Sequence, residues 1–427
     1  VAAYRQFSRE ELTNEHTALQ QEFINWKTKE LHLNMARGKP GSDQLALSMA
    51  MLDVLNSTSD CHAESGFDCR NYGEIAGIPE ARELFGAYMG VSTDEIIMTG
   101  PRSTPFIYDC IARAMLKGVL GSEKPWCKYD EIKFICPVPG YDRHFAMCEF
   151  LGIKMIPVSL NEWGPDIGRI EQLIAEDETI KGIWCVPKYS NPLGIVYSDE
   201  TVRRLAGLKP AAKDFRIFWD NAYAMHAVYR DIPLLNILEE CKQAGSPNMV
   251  YMFGSTSKMV FPGSGVSFFG ASAENIRFTL EQVNIETSSW DNLNTLRHVR
   301  YLRDVGGIRS LMEKHAAILR GKFDVVLNTF ERELSGRAVG GWVKPDGGYF
   351  ITYMAELGCA KRIVAICKEA GVVLTDAGAT HPYGNDPKDS YIRIAPSLPE
   401  RDELVAAMEI FCVAARLAAV EKLLKPV

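Results

Sequence analysis

Apolar and polar positions are patterned along the chain in two distinct ways. The start is helical: Ser8 with Glu11 three residues on has the form of a capping box, and apolar residues follow at mixed helical spacing to Leu33. Short apolar runs then recur, each closing near a Gly, Pro or Asn. They are IKFIC (132–136), IKMIPV (153–158), GIWCVP (182–187), FRIFWD (215–220), MVYMFG (249–254) and VSFFG (266–270). Polar, helix-favouring stretches such as SDETVRRLAGL (198–208) separate several of them. Strands alternating with helices predict an α/β fold on a mainly parallel sheet with both faces covered, which suits a run as continuously apolar as FRIFW.

After about Ile308 the texture changes. A long helical segment over 309–335 leads to the Gly-rich VGGWVKPDGGYFITY (339–353), another helix, the alternating YIRIA (391–395) and a terminal helix through Leu424. These elements predict a second, smaller α+β domain. No repeat, low-complexity tract or Gly/Ser linker separates the two parts, so they are expected to share a large interface.

Composition narrows the class. A length of 427 residues gives a soft prior of two or three domains, and 47% hydrophobic with 24% charged residues is ordinary for a globular protein. Lys and Arg total 47 against 54 Asp and Glu, a net charge of −7 that argues against a nucleic-acid binder. The 11 cysteines are scattered singly, without metal-ligand spacing, and read as buried small hydrophobes of a reducing compartment; no metal is expected. No run of 18 apolar residues occurs, and the opening VAAYRQFSREEL reads as a helix approach rather than a signal peptide. A cytoplasmic enzyme is the expectation.

The chemistry is sought at strand ends. Gly254-Ser255-Thr256-Ser257-Lys258 directly follows a predicted buried strand. Lys258 is either a solvated loop lysine or an amine whose pKa is lowered by burial for Schiff-base chemistry, with hydroxyls nearby to bind a phosphate. Asp220 ends another strand, with Tyr223 three residues on; it could cap a helix, bind a cation or pair with a protonated pyridine nitrogen. Asn191-Pro192 follows a third strand and is by itself an ordinary turn signal. Arg393 lies in an alternating apolar strand, where an unpaired guanidinium is costly; its partner is a structural carboxylate or a ligand. Ser103-Thr104-Pro105 precedes the apolar-periodic FIYDCIARAML and reads as an N-cap and first turn, either simply a capped helix or an anion site.

In this order, the four signals Asn-Pro, Asp-x-x-Tyr, Ser-x-Ser-Lys and buried Arg resemble the fold type I pyridoxal-phosphate aminotransferases. Most similar is the type Ic aspartate aminotransferase subgroup. The resemblance runs from about Leu33 to Leu398, through LNMARGKPGSDQLALS (33–48), DCRNYGEIAGIPEAR (68–82), CPVPGYDRHF (136–145), VPKYSNPLG (186–194), FWDNAYAMH (218–226) and FGSTSK (253–258). It implies a large domain over 56–304 with a mainly parallel, seven-stranded-type sheet, and a small domain formed by 1–55 and 305–427. It also implies pyridoxal 5′-phosphate as cofactor and a homodimer with shared sites. Lys258 would form the internal aldimine and then move the proton between Cα and C4′. Asp220 would keep the pyridine nitrogen protonated, while Tyr223 and Asn191 hydrogen-bond the ring O3′ and Tyr141 stacks on the ring. Ser103, Thr104, Ser255 and Ser257 would cradle the phosphate, which Tyr72 reaches from the neighbouring subunit. Arg393, with Gly38 beside it and Asn191 nearby, would hold the substrate α-carboxylate.

Two departures bear on this. Many aminotransferases of this fold carry an arginine about eight residues after the lysine, where this chain has Val266; the type Ic pattern also lacks it. The subgroup's Gly-Asn-Ser-Ser-like turn is here Gly100-Pro101-Arg102-Ser103-Thr104, so Arg102 is expected to supply part of the missing positive charge. Leu193 also stands where Thr is more frequent, with little effect expected. The function implied is ping-pong transamination between aspartate and 2-oxoglutarate, with Arg37 and Lys39, and Arg143 behind them, as candidates for the distal carboxylate. Alternatives are an aromatic, alanine or 2-aminoadipate aminotransferase, or a lyase on the same fold. A transcription regulator is disfavoured because only about 33 residues precede the first motif. A nucleotide-binding protein is disfavoured because no phosphate-binding glycine motif occurs.

Overall fold

The structure is a computed structural model and describes residues 3–425, so the outermost residues of the expected small domain, 1, 2, 426 and 427, lie outside it. In chain order the strands are β1 (Leu33–Asn34), β2 (Ile96–Thr99), β3 (Lys133–Val138), β4 (Lys154–Asn161), β5 (Gly164–Pro165), β6 (Ile180–Cys185) and β7 (Arg216–Asp220). They continue with β8 (Val250–Ser255), β9 (Ser267–Gly270), β10 (Gly340–Trp342), β11 (Ile351–Ala355), β12 (Val372–Val373) and β13 (Tyr391–Ile394). The central sheet has the order β2-β9-β8-β7-β6-β3-β4-β5. Seven strands make its body, and the two-residue β5 adds an eighth at the edge. From β8 through β4 every pairing is parallel, and β9 runs antiparallel to both of its neighbours.

All six apolar runs fall on sheet strands, and every residue of β6, β7 and β8 is buried. Helices on one face, among them Ser103–Lys117 and Asp142–Phe150, enclose a core with Phe134, Trp184 and Phe218; helices Ile167–Glu176 and Asp199–Ala206 enclose another with Ile183, Ile217 and Trp219. Strand β2 escaped the sequence reading: its four residues, IIMT, of which three are apolar, make too short a run to separate from a helix end.

Both capping-box bonds are present at the first helix, Arg9–Lys27: Glu11 N–H donates to Ser8 Oγ at 3.2 Å and Ser8 N–H to Glu11 Oε2 at 2.7 Å. The helix stops six residues before Leu33. Glu30 takes a positive φ of 50°, and Leu33 and Asn34 pair in parallel with Val372 and Val373. A core of Leu12, Leu19, Phe323, Phe330, Tyr353 and Phe411 packs this helix against Val305–Leu334, Arg401–Leu424 and the antiparallel sheet β10-β11-β13. No helix among the described residues is long and apolar enough to cross a membrane.

A buried ion pair ties β6 to the chain entering β7. Lys181 Nζ donates to Asp214 Oδ1 at 2.6 Å, with both side chains at most 4% exposed, while Trp126 and Ser122 donate to the other carboxylate oxygen. Burial alone would raise the Asp214 pKa, but these hydrogen bonds hold it below its ordinary value. Asp214→Ala leaves Lys181 buried without an anion and should destabilise the protein by about 3–5 kcal/mol at neutral pH. Because the folded-state pKa is depressed, the stabilisation is present above the unfolded carboxyl pKa and is lost as pH falls through the folded one. Thermal melting of variant and parent between pH 7 and pH 3 checks both the loss and its convergence in acid.

Candidate active site

The loops leaving the carboxyl ends of β2, β3, β6, β7 and β8 meet residues 37–39 and β13 around one cavity of about 260 Å3. Ligands of open α/β sheets bind at this edge. Beyond β8, Thr256 N–H donates to Val266 O at 2.9 Å and Val266 N–H to Thr256 Oγ1 at 3.0 Å, fixing the turn that carries Lys258. The Lys258 amine projects into the cavity, donates to the Gly38 carbonyl and lies 5.0 Å from the Tyr349 ring centroid. Burial, with Arg393 and Lys39 nearby, pulls its pKa from 10.5 to about 8. An amine so placed has an appreciable neutral fraction near physiological pH, as nucleophilic or proton-transfer chemistry requires.

A buried network holds the Lys258 backbone. Its carbonyl accepts from the Tyr349 hydroxyl at 3.4 Å and faces His226 Nε2 at 3.3 Å; the Met259 carbonyl faces His315 Nε2 at 2.8 Å. Gln44 Nε2 donates to Tyr349 Oη at 2.9 Å and faces His315 Nδ1 at 3.1 Å. With Gln44 as donor, His315 Nδ1 accepts and Nε2 carries the proton given to Met259. Burial lowers the pKa of both histidines, His226 to about 3, so they serve as neutral donors.

Asp220 ends β7 with its carboxylate almost fully buried. Oδ2 lies 3.0 Å from His144 Nε2, whereas Oδ1 is buried with no hydrogen-bond partner among the described residues. An unsatisfied buried carboxylate oxygen is costly, and it marks where a ligand N–H belongs. His144 is fixed between Trp184, stacked at 4.1 Å, and Tyr141, edge-on at 4.9 Å. Burial raises the Tyr223 pKa well above 10, helped by Tyr141 and Asp220, and raises that of Tyr141 to about 12, so both phenols stay protonated.

On the same cavity, Ser103 and Thr104 open the helix Ser103–Lys117. The expected N-cap at this pair is corrected: Arg102 takes the extended cap conformation (φ −152°, ψ 149°) and gives no side-chain cap. Ser103 and Thr104 therefore lie inside the first turn, where their own backbone N–H groups lack helical acceptors and can serve an anion. Ser255 and Ser257 line the cavity too, and Ser257 Oγ is buried without a partner among the described residues. Arg102, Arg37, Lys39 and Arg143 are exposed residues of the cavity wall.

Arg393 is 5% exposed. Its Nη1 donates to Asp142 Oδ1 at 2.8 Å and Asn191 Oδ1 at 3.0 Å, its Nη2 to Thr375 Oγ1 at 3.1 Å, and its plane lies 4.9 Å from the Phe350 ring centroid. The carboxylate partner demanded by its burial is thus Asp142. At Gly38 a Cβ atom would come within 2.9 Å of the Phe350 ring, so any side chain there would have to push that ring aside. Every predicted site residue lines the cavity except Tyr72, whose side chain stands 79% exposed outside it. His144, Asp142 and His226 sat inside quoted motifs without an assigned role. Gln44, also inside a quoted motif, and Tyr349 and Phe350 of the Gly-rich stretch had no assigned role either, and His315 and Thr375 were missed, because only tertiary contact brings them here.

A family model described as aspartate amino-transferase matches residues 7–426. The chain belongs to that family. It is 39% identical over 407 residues to an aspartate aminotransferase of Corynebacterium glutamicum, covering 95% of this chain and 94% of that one. The crystal structure of an aspartate transaminase from the same organism superposes with a TM-score of 0.95 at 38% identity, over 99% of each chain. An α-aminoadipate aminotransferase of Thermus thermophilus, in complex with N-(5′-phosphopyridoxyl)-L-leucine, shares the fold alone: TM-score 0.74, 18% identity, 95% of each chain. The protein is therefore a fold type I aminotransferase of aspartate-aminotransferase-like kind.

Pyridoxal phosphate, the cofactor the family implies, fits the residues present. Asp220 Oδ1 lacks the donor that a pyridinium N–H provides, Ser257 Oγ and the turn at Ser103 lack the acceptor that a phosphate provides, and Lys258 offers an amine to the aldehyde. Capture of the aldehyde needs the neutral amine. The rate at which cofactor-free protein takes up pyridoxal phosphate should therefore rise with pH around a midpoint near 8 and level off above it. Stopped-flow absorbance at pH 6.5–10.5 reads this; a midpoint near 10.5 would mean an amine unaffected by burial.

Proposed function

We propose that this aminotransferase exchanges amino groups between aspartate and 2-oxoglutarate by a ping-pong mechanism, with pyridoxal 5′-phosphate as cofactor. The observation that carries this reading is the convergence of the Lys258 amine, the orphaned Asp220 oxygen and the Arg393 fork on one cavity. When bound, the cofactor supplies the sink for the electrons left by Cα–H cleavage.

The chain's own groups do the rest. Asp220, held by His144, would offer its free oxygen to the pyridine N–H. Tyr223 and Asn191 would donate to the ring oxygen, and Tyr141 would stack on the ring. Ser103, Thr104, Ser255 and Ser257 would hold the phosphate, with Arg102 adding charge at the same end. With the cofactor bound, the Lys258 amine would be the base that moves the substrate Cα proton. Arg393 holds the α-carboxylate, with Gly38 and Asn191 beside it. The exposed cations Arg37, Lys39 and Arg143 suit the second carboxylate of a dicarboxylic substrate. Relatives named for aspartate favour the same donor.

The same reading includes the type Ic subgroup, a large domain over 56–304 with a small one from the two flanking segments, and a cytoplasmic homodimer. Tyr72, a large aromatic 79% exposed, is free to contact a second copy in such a dimer. In that arrangement the partner subunit's Tyr72 completes the phosphate site. Absorbance of the holoenzyme, titrated with aspartate, glutamate, alanine and aromatic amino acids, tests the assignment. Aspartate and glutamate should convert the cofactor to its amine form and release their keto acids at far lower concentrations than the others. Conversion by aromatic donors alone, or loss of CO2 in place of keto-acid release, would contradict it.

A further inference from the structure

We propose that Asp142 is a resident counter-anion of Arg393 that a substrate carboxylate must displace, making it a specificity-determining residue of the α-carboxylate site. The inference rests on the reading of Arg393 given above. Arg393 is a buried cation, and among the described residues Asp142 is the one carboxylate that pairs with it, at 2.8 Å. A guanidinium with 4% side-chain exposure needs such an anion when no ligand is bound.

The two partners are held unequally. Arg393 sits on β13 opposite Thr352 of β11, is stacked against Phe350 and is bonded to Asn191 and Thr375, so it stays in place. Asp142 is 35% exposed and is the first residue of the helix Asp142–Phe150. Released from Arg393, its carboxylate remains next to a helix N-terminus and water, both of which favour a negative charge. Its hold on Arg393 is also a single bond through Nη1, whereas a free carboxylate can engage the fork with two oxygens.

Binding is then an exchange of one ion pair for another. A ligand with a carboxylate can displace Asp142 and regain what the displacement costs; an amine without one leaves the pair closed. Asp142 also adds a negative charge to a cavity that must admit dicarboxylates, between Tyr141 and Arg143 on the same turn. It lowers the affinity for such ligands and sharpens selection for those that grip Arg393 with both oxygens.

Asp142→Asn removes the charge while its amide oxygen can still accept from Arg393. In the holoenzyme, read through cofactor absorbance, this variant should bind the non-reacting dicarboxylate succinate about tenfold more tightly. Its KM for aspartate should fall by a larger factor than its kcat changes. Arg393→Gln should weaken succinate at least a hundredfold and abolish the gain from Asp142→Asn. Unchanged or weaker succinate binding by Asp142→Asn, with Arg393→Gln still severely impaired, overturns the proposal alone. Undiminished binding by Arg393→Gln instead overturns the reading of Arg393 itself. Should Asp142→Asn fail to retain cofactor, Asp142→Ser is measured against the same two outcomes.

Discussion

Burial of the Lys258 amine beside two other cations, Arg393 and Lys39, is the constraint on which the rest of the site depends. A lysine in water holds its proton too tightly to attack an aldehyde or to accept a proton from carbon at neutral pH, and removing it from water shifts that balance. The sheet makes this burial possible. Parallel strands direct their carboxyl ends to one edge, so loops from five strands enclose the amine together with Asp220, Asn191 and the turn at Ser103. The antiparallel β9 returns the chain after Lys258 and closes that loop through Thr256 and Val266.

Holding a long side chain in one place costs about 1.5–2 kcal/mol of rotamer entropy, while a hydrogen bond contributes about 1 kcal/mol net. No single contact to Lys258 is therefore decisive. The network of Gln44, His315, Tyr349 and His226 fixes the carbonyls of Lys258 and Met259 from segments far apart in sequence. Both histidines are neutral through burial, so they do not place further positive charge beside the amine. In the same site, Asp220 Oδ1 and Arg393 Nε, unpartnered among the described residues, mark the polar capacity left for ligands.

Much of this was legible in the sequence, and for physical reasons. Strands buried on both faces must be continuously apolar, so FRIFWD and MVYMFG declare themselves and carry Asp220 and Lys258 at their ends. Ser8 and Glu11 satisfy each other within one turn of helix, and a local signal of that kind survives folding unchanged. The failures are equally physical. At Ser103-Thr104-Pro105, the preference of proline for the first helical position pointed to a later start, but the extended backbone at Arg102 begins the helix earlier. The Asp142 partner of Arg393 lies 251 residues away in sequence, and Gln44 lies 271 residues from His315, separations that no local pattern reveals.

The central claim is that the amine of residue 258 is the group joined to the cofactor aldehyde. Borohydride reduction of the protein saturated with pyridoxal phosphate, followed by peptide mass spectrometry, tests it most directly. The account predicts a single phosphopyridoxyl group, on the peptide containing Lys258, and none in Lys258→Ala. Labelling of another lysine in its place, or no labelling at residue 258, would contradict it.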